Sequence, residues 1–119
     1  MNAWSHLPNA EHIDRIIELM KAHPEAWDAA YTAARTSRTL TAARDAARDA
    51  ARDAARDAAW AAAYSDSILA LIAYDDAARY LEMSSYELKI WVVLSEEPAA
   101  ILLLPTVIAF EQIREMKAA

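Results

Sequence analysis

The residues with the strongest claim to chemistry are Asp75, Asp76 and Arg79, with Tyr74 beside them. On a helical wheel Asp75 projects between Leu71 and Ile72, on a stripe shared with Ile68, and Arg79 follows it at i+4. A carboxylate on an apolar face needs a cation or hydrogen-bond donors, or it takes up a proton. The spacing predicts an internal Asp75–Arg79 ion pair, extended to an arginine of the repeat described below. Its functional alternative is a ligand or partner site built from Tyr74, Asp75, Asp76 and Arg79. Adjacent carboxylates could also hold a metal ion or exchange protons, but no nearby histidine or Glu-x-x-His spacing completes such a site.

Other reactive residue types are sparse. His6, His12 and His23 lie in the first 23 residues without metal-ligand spacing and read as helix-end or surface groups. Ser37, Ser65, Ser84 and Ser85 fall at expected helix starts, where capping accounts for them. With no cysteine, disulfides, thiol nucleophiles, iron–sulfur sites and cysteine zinc sites are excluded. With no glycine, a P-loop, a dinucleotide fingerprint, a nucleophile elbow and an EF-hand loop are excluded in their usual forms. No catalytic constellation remains, so the chain is expected not to be an enzyme and to use no cofactor or metal. A net charge of −6 argues against nucleic-acid or anionic-membrane partners. The longest apolar run, 99–110, contains Pro105 and is too short to span a bilayer. The first residues lack a basic region followed by an apolar run, so a cytoplasmic location is expected.

The element that must organise these residues is a repeat. From Ala42 the chain reads Ala-Ala-Arg-Asp four times, then Ala-Ala-Trp-Ala and Ala-Ala-Tyr-Ser. Strong helix formers without Gly or Pro predict one helix over 42–64, roughly 35 Å long. Because four residues exceed one helical turn, each repeat steps about 40° round the axis. The column Arg44, Arg48, Arg52, Arg56, Trp60, Tyr64 therefore winds slowly. Asp45–Arg48, Asp49–Arg52 and Asp53–Arg56 are spaced for i,i+3 pairs. The alanine columns form a smooth seam that lets another helix approach closely, with the charges solvated behind it. Each Arg is followed by an Asp that cancels it, which disfavours nucleic acid. Trp60, with Tyr64, is a candidate binding hot spot.

Around this helix the periodicity predicts others. A helix over about 10–22, N-capped by Asn9, would bury Ile13, Ile16, Ile17 and Met20. A second spans about 24–36 after His23-Pro24, and a break near 36–40 makes a helical hairpin with the repeat; a single long helix is the alternative. Segment 67–82 reads as one amphipathic helix. Ser84 and Glu87 form a capping box for 85–95, expected to bury Leu88, Trp91, Val92 and Leu94. Ile101–Leu104 are apolar all round and should be central to the core. Pro105 should kink or break that helix, and 106–117 resumes with Val107, Phe110, Ile113 and Met116. Trp4, Trp27, Trp60 and Trp91, one per element, read as core anchors. The expected architecture is an all-α, single-domain bundle over 1–119, with five or six helices round the long repeat helix.

The Ala-Ala-Arg-Asp run closing in Ala-Ala-Trp-Ala-Ala-Ala-Tyr, with the stretches 70–76 and 98–105, resembles uncharacterised alanine-rich bacterial and bacteriophage proteins, some of which carry an immunity-protein label. The resemblance covers about 42–105 and transfers no site residues. It implies a small intracellular binder. The leading expectation is thus a non-catalytic protein-binding module, such as a phage or mobile-element factor that modulates a host protein, or an immunity-type inhibitor. Candidate contact residues are Trp60, Tyr64, Tyr74, Asp75, Asp76 and Arg79. Two alternatives stand beside it: a homo-oligomer assembling through the alanine face, and a small-ligand or metal site at Asp75 and Asp76.

Overall fold

A chain without glycine must end its helices on side chains, prolines or other parts of the chain, and those stops set this architecture. The computed structural model describes residues 4–34, 37–53 and 65–118. Over these the elements are α1 (Ala10–Ala22), α2 (Pro24–Ala34), α3 (Ser37–Asp53), α4 (Asp66–Ala73), a 3-10 helix (Ala77–Glu82), α5 (Ser85–Ser95) and α6 (Pro98–Ala118). The all-α expectation holds. The expected count of five or six helices does not, since seven helical elements occur among the described residues.

The additional element arises where 67–82 divides. Ser65 caps α4 by accepting the Ile68 N–H at 3.1 Å, and α4 stops at Ala73 with Tyr74 extended (φ −127°, ψ 110°). The stop is imposed from the other end of the chain. Buried Asn9 was expected to cap α1 with its side chain, but that side chain makes no such bond. Its Nδ2 instead donates to the carbonyls of Leu71 and Tyr74, both at 3.0 Å; the Leu71 carbonyl is one that a terminating helix leaves open, and that of Tyr74 also accepts the Ala77 N–H at 3.1 Å.

The repeat helix α3 begins at Ser37, earlier than the expected 42, and is described as far as Asp53. The second half of the expected 42–64 helix, with Arg56, Trp60 and Tyr64, lies outside the described residues. So does the link at 35–36 between α2 and α3. Within α3, Leu40, Ala43, Ala47 and Ala51 are buried, and the helix packs on α4 and α6. The opposite side is charged and exposed: Arg48 meets Asp45 at 3.6 Å, and Arg52 meets Asp49. The expected alanine seam with solvated i,i+3 pairs is therefore present over this half.

α6 is the centre of the fold. Residues 99–109 are buried without interruption, and α2, α3, α4, α5 and the 3-10 helix all pack on it. Of the expected kink or break at Pro105, the break does not occur: α6 runs through the proline as one helix. Proline removes one intrahelical donor and costs roughly 3 kcal/mol in a helix interior. Enclosure of α6 by five elements opposes that cost. Beside Pro105 a buried relay adds order: Thr106 Oγ1 donates to Ser67 Oγ at 2.6 Å, and Ser67 Oγ donates to the Leu102 carbonyl at 2.8 Å.

Candidate functional site

Acids stand at both ends of helix α5, with opposite effects. Ser84 accepts the Glu87 N–H at 3.1 Å and donates its own hydroxyl to Glu87 Oε1 at 3.0 Å. The next N–H, of Ser85, is taken by Glu111 of α6 at 3.1 Å. Contacts from Ser85, with Arg114 and Lys89 nearby, hold the Glu111 carboxyl below the usual carboxylate range against the effect of its burial. At the other end Glu96 closes α5 in the left-handed region (φ 53°, ψ 25°), its N–H bonded to the Val92 carbonyl at 3.0 Å. It is the one non-glycine with positive φ among the described residues. A side chain there is strained, and an acid at a helix C-terminus opposes the helix dipole.

Of the residues expected to anchor α5, only Leu88 is fully buried and Val92 is half-buried. The expectation that Trp91 and Leu94 are core residues is corrected. Tyr86 is 74% exposed, Ile90 46%, Trp91 39%, Val93 77% and Leu94 74%. Positions 86, 90, 93 and 94 recur at i, i+4, i+7 and i+8, one stripe on the side opposite Leu88 and Val92. The physical reason is that α5 presents apolar residues on two opposite sides while α6 covers one. Exposed Glu87 and Glu96 border this stripe. The one cation on α5, Lys89, lies close enough to Glu111 to act on its carboxyl.

The site expected at 74–79 is assembled differently. Once α4 ends at Ala73 the helical wheel no longer applies, and Asp75 and Asp76 stand exposed on the turn before the 3-10 helix. The premise of a carboxylate on a buried apolar stripe is therefore corrected. Exposed Arg79 meets Asp76 Oδ2 at 3.9 Å and Glu97 Oε2 at 3.4 Å. It also donates to the hydroxyl of buried Tyr80 at 2.9 Å and lies 4.9 Å from that ring's centroid. The Tyr80 hydroxyl donates in turn to Glu97. Half-buried Tyr74 lies instead near Asp49 of α3, and burial first, then that carboxylate, pushes its hydroxyl above the ordinary tyrosine value. Asp76 and Arg79 are thus brought together, while Tyr74 faces the repeat helix.

A second arginine–tyrosine–acid cluster lies away from the residues that spacing singles out. Arg44 grips Asp66 with Nε at 2.7 Å and Nη2 at 2.9 Å, and the Tyr31 hydroxyl donates to Asp66 at 2.8 Å while also meeting Arg44. The bidentate contact to Asp66 raises the Arg44 pKa further. The cluster ties α2, α3 and the start of α4 beside a cleft of about 310 Å³ that Trp27 and Asp28 also line. One signal in the repeat could have found it: Arg48 and Arg52 follow an Asp at i−3, whereas Arg44 follows Thr41. With each partner engaged, this cluster is a clamp between helices.

A cleft of about 760 Å³ lies where the α1–α2 junction meets the end of α6, with His23, Glu25, Gln112 and Glu115 on its walls. No nucleophile accompanies that histidine, whose backbone ends α1 by donating to the Leu19 carbonyl at 2.8 Å. Among the described residues no group of three or more His, Asp or Glu side chains could hold a metal ion. No described helix is long and apolar enough to cross a membrane. No protein-family model, curated protein or solved structure matches the chain.

Proposed function

We propose that the protein is a non-catalytic protein-binding module of the cytoplasm, in the manner of a phage or mobile-element factor that modulates a host protein, or of an immunity-type inhibitor. Its contact helix is α5. One observation carries this reading: the stripe of Tyr86, Ile90, Val93 and Leu94 stands in water on a helix that Leu88 already anchors. Contiguous exposed apolar surface of this kind marks interaction sites, and i, i+4, i+7, i+8 anchors suit docking into a groove. The acidic border, Glu87 and Glu96, matches a partner whose apolar groove is flanked by Lys or Arg. A second copy would set like charges against each other, with −6 on each chain. Self-assembly through the alanine face finds less support, because Ala43, Ala47 and Ala51 are already covered by this chain's own core.

The test is affinity capture from the source organism or its host, comparing wild type with a Tyr86→Gln/Leu94→Gln double variant and with Asp75→Asn. The double variant should keep its circular dichroism and melting behaviour while losing the stoichiometric partner by roughly tenfold or more, as expected for anchor residues. Asp75→Asn should bind like wild type. Full retention of the partner by the double variant, or capture of nothing but the protein itself, would overturn the reading.

A further inference from the structure

One pocket has the opposite charge from the chain as a whole. α1, the 3-10 helix and α6 enclose about 150 Å³, with Arg15, Arg114 and Lys117 round an apolar lining of Leu19, Leu81 and Ile113. Helical spacing builds it: Phe110, Ile113, Arg114 and Lys117 follow one face of α6, and Arg15 and Leu19 one face of α1. The Arg15 guanidinium lies 4.8 Å from the Phe110 ring centroid. Phe110 is itself set edge-on to buried Trp27, with centroids 6.0 Å apart and planes at 77°. Arg15 is thus positioned by a ring that the core positions, at a typical cation–π distance.

No carboxylate lines this pocket. Among the described ion pairs none involves Arg15, Arg114 or Lys117. The nearby acids are engaged or lie outside: Glu111 holds the Ser85 N–H at 3.1 Å, and Asp14 accepts from the Trp4 indole at 2.8 Å. Glu11 and Glu18 are exposed on α1 about a turn from Arg15 and do not line the pocket. Arg114 also acts on the Glu111 carboxylate beside the pocket, but the pocket wall itself carries three cations and no acid, and an anion placed among them relieves their mutual repulsion.

We propose that this pocket binds the carboxylate or phosphate monoester of a small amphiphilic molecule. Arg15 and Arg114 supply forked N–H donors to its oxygens, and Lys117 adds a point charge. The molecule's ring or short chain lies against Leu19, Leu81 and Ile113. At roughly 30 Å³ per water the pocket has space for about five waters, which suits one anionic group with part of a ring. It shares no residue with the α5 stripe, so it stands or falls independently of the partner-binding reading.

The experiment is an NMR titration of the full chain with phenyl phosphate, benzoate, inorganic phosphate and, as the neutral control, benzyl alcohol. Phenyl phosphate or benzoate should give saturable shifts centred on Leu19, Phe110, Ile113 and Lys117, roughly threefold or more tighter than inorganic phosphate, the difference owed to apolar contact. Arg15→Gln and Lys117→Gln, both at exposed positions, should each weaken that binding roughly fivefold or more without altering the melting curve. The assignment is overturned if neither anion saturates, or if benzyl alcohol gives the same shifts. Shifts equally large at Arg48 and Arg52, or unchanged affinity in both variants, would overturn it as well.

Discussion

Helices α5 and α6 are both apolar on more than one side, yet they meet water in opposite ways. In α6 the residues 99–109 are enclosed by five other elements, and even the hydroxyl of Thr106 finds Ser67 inside the core. In α5 the same residue types line a side that no other described element covers, and Tyr86, Val93 and Leu94 remain largely in water. Composition therefore does not decide which helix is central; the number of neighbours does. α6 spends its apolar surface on folding. α5 holds it beside an acid in a strained left-handed terminus, a feature that folding does not require.

The largest expected effect separates the two helices directly. Leu102→Ala in α6 should cost about 2–5 kcal/mol of unfolding free energy in chemical denaturation, whereas Leu94→Ala in α5 should stay within about 0.5 kcal/mol. Similar losses at both sites would break the comparison. Next is the relay that locks α4 to α6. Ser67→Ala strands the Thr106 hydroxyl and removes the second donor to the Leu102 carbonyl, and should cost about 1–3 kcal/mol; Thr106→Val added to it should cost less than the sum of the single changes.

At the end of α5, Glu96→Gly should raise stability by about 0.5–1 kcal/mol, since glycine takes positive φ without strain and the acid leaves the negative end of the helix dipole. The smallest effect concerns pH. The folded Glu111 carboxyl titrates below its ordinary range, so its contribution is present above that range and is lost as pH falls through the lowered value. Glu111→Gln should therefore flatten the acid limb of stability between those two values, measured as unfolding midpoint against pH.

What the sequence made legible was local. Helical repeats, the Asp45–Arg48 and Asp49–Arg52 pairs, the alanine seam and the Ser84–Glu87 cap all depend on residues within one or two turns. What it hid was non-local. Asn9 ends α4 across 62 residues of chain, and Glu97 draws Arg79 away from a purely helical partnership. The anion pocket joins a face of α6 that spacing defines to an arginine from α1 that it does not. The orientation of α5 was undecidable for a different reason: with apolar residues on both sides, periodicity gives no preference for burying Trp91 and Leu94 over Leu88 and Val92. Only the packing of α6 makes that choice.

The most direct test of the central claim, that the outward face of α5 is surplus to folding, is the unfolding free energy of a Tyr86→Gln/Val93→Gln/Leu94→Gln variant. Glutamine keeps helix propensity while removing the apolar stripe. The account predicts a stability within about 1 kcal/mol of wild type, since changes at exposed positions are each usually within about 0.5 kcal/mol. A loss of about 4 kcal/mol or more, the scale of emptied core positions, would show that these side chains are packed and would contradict it.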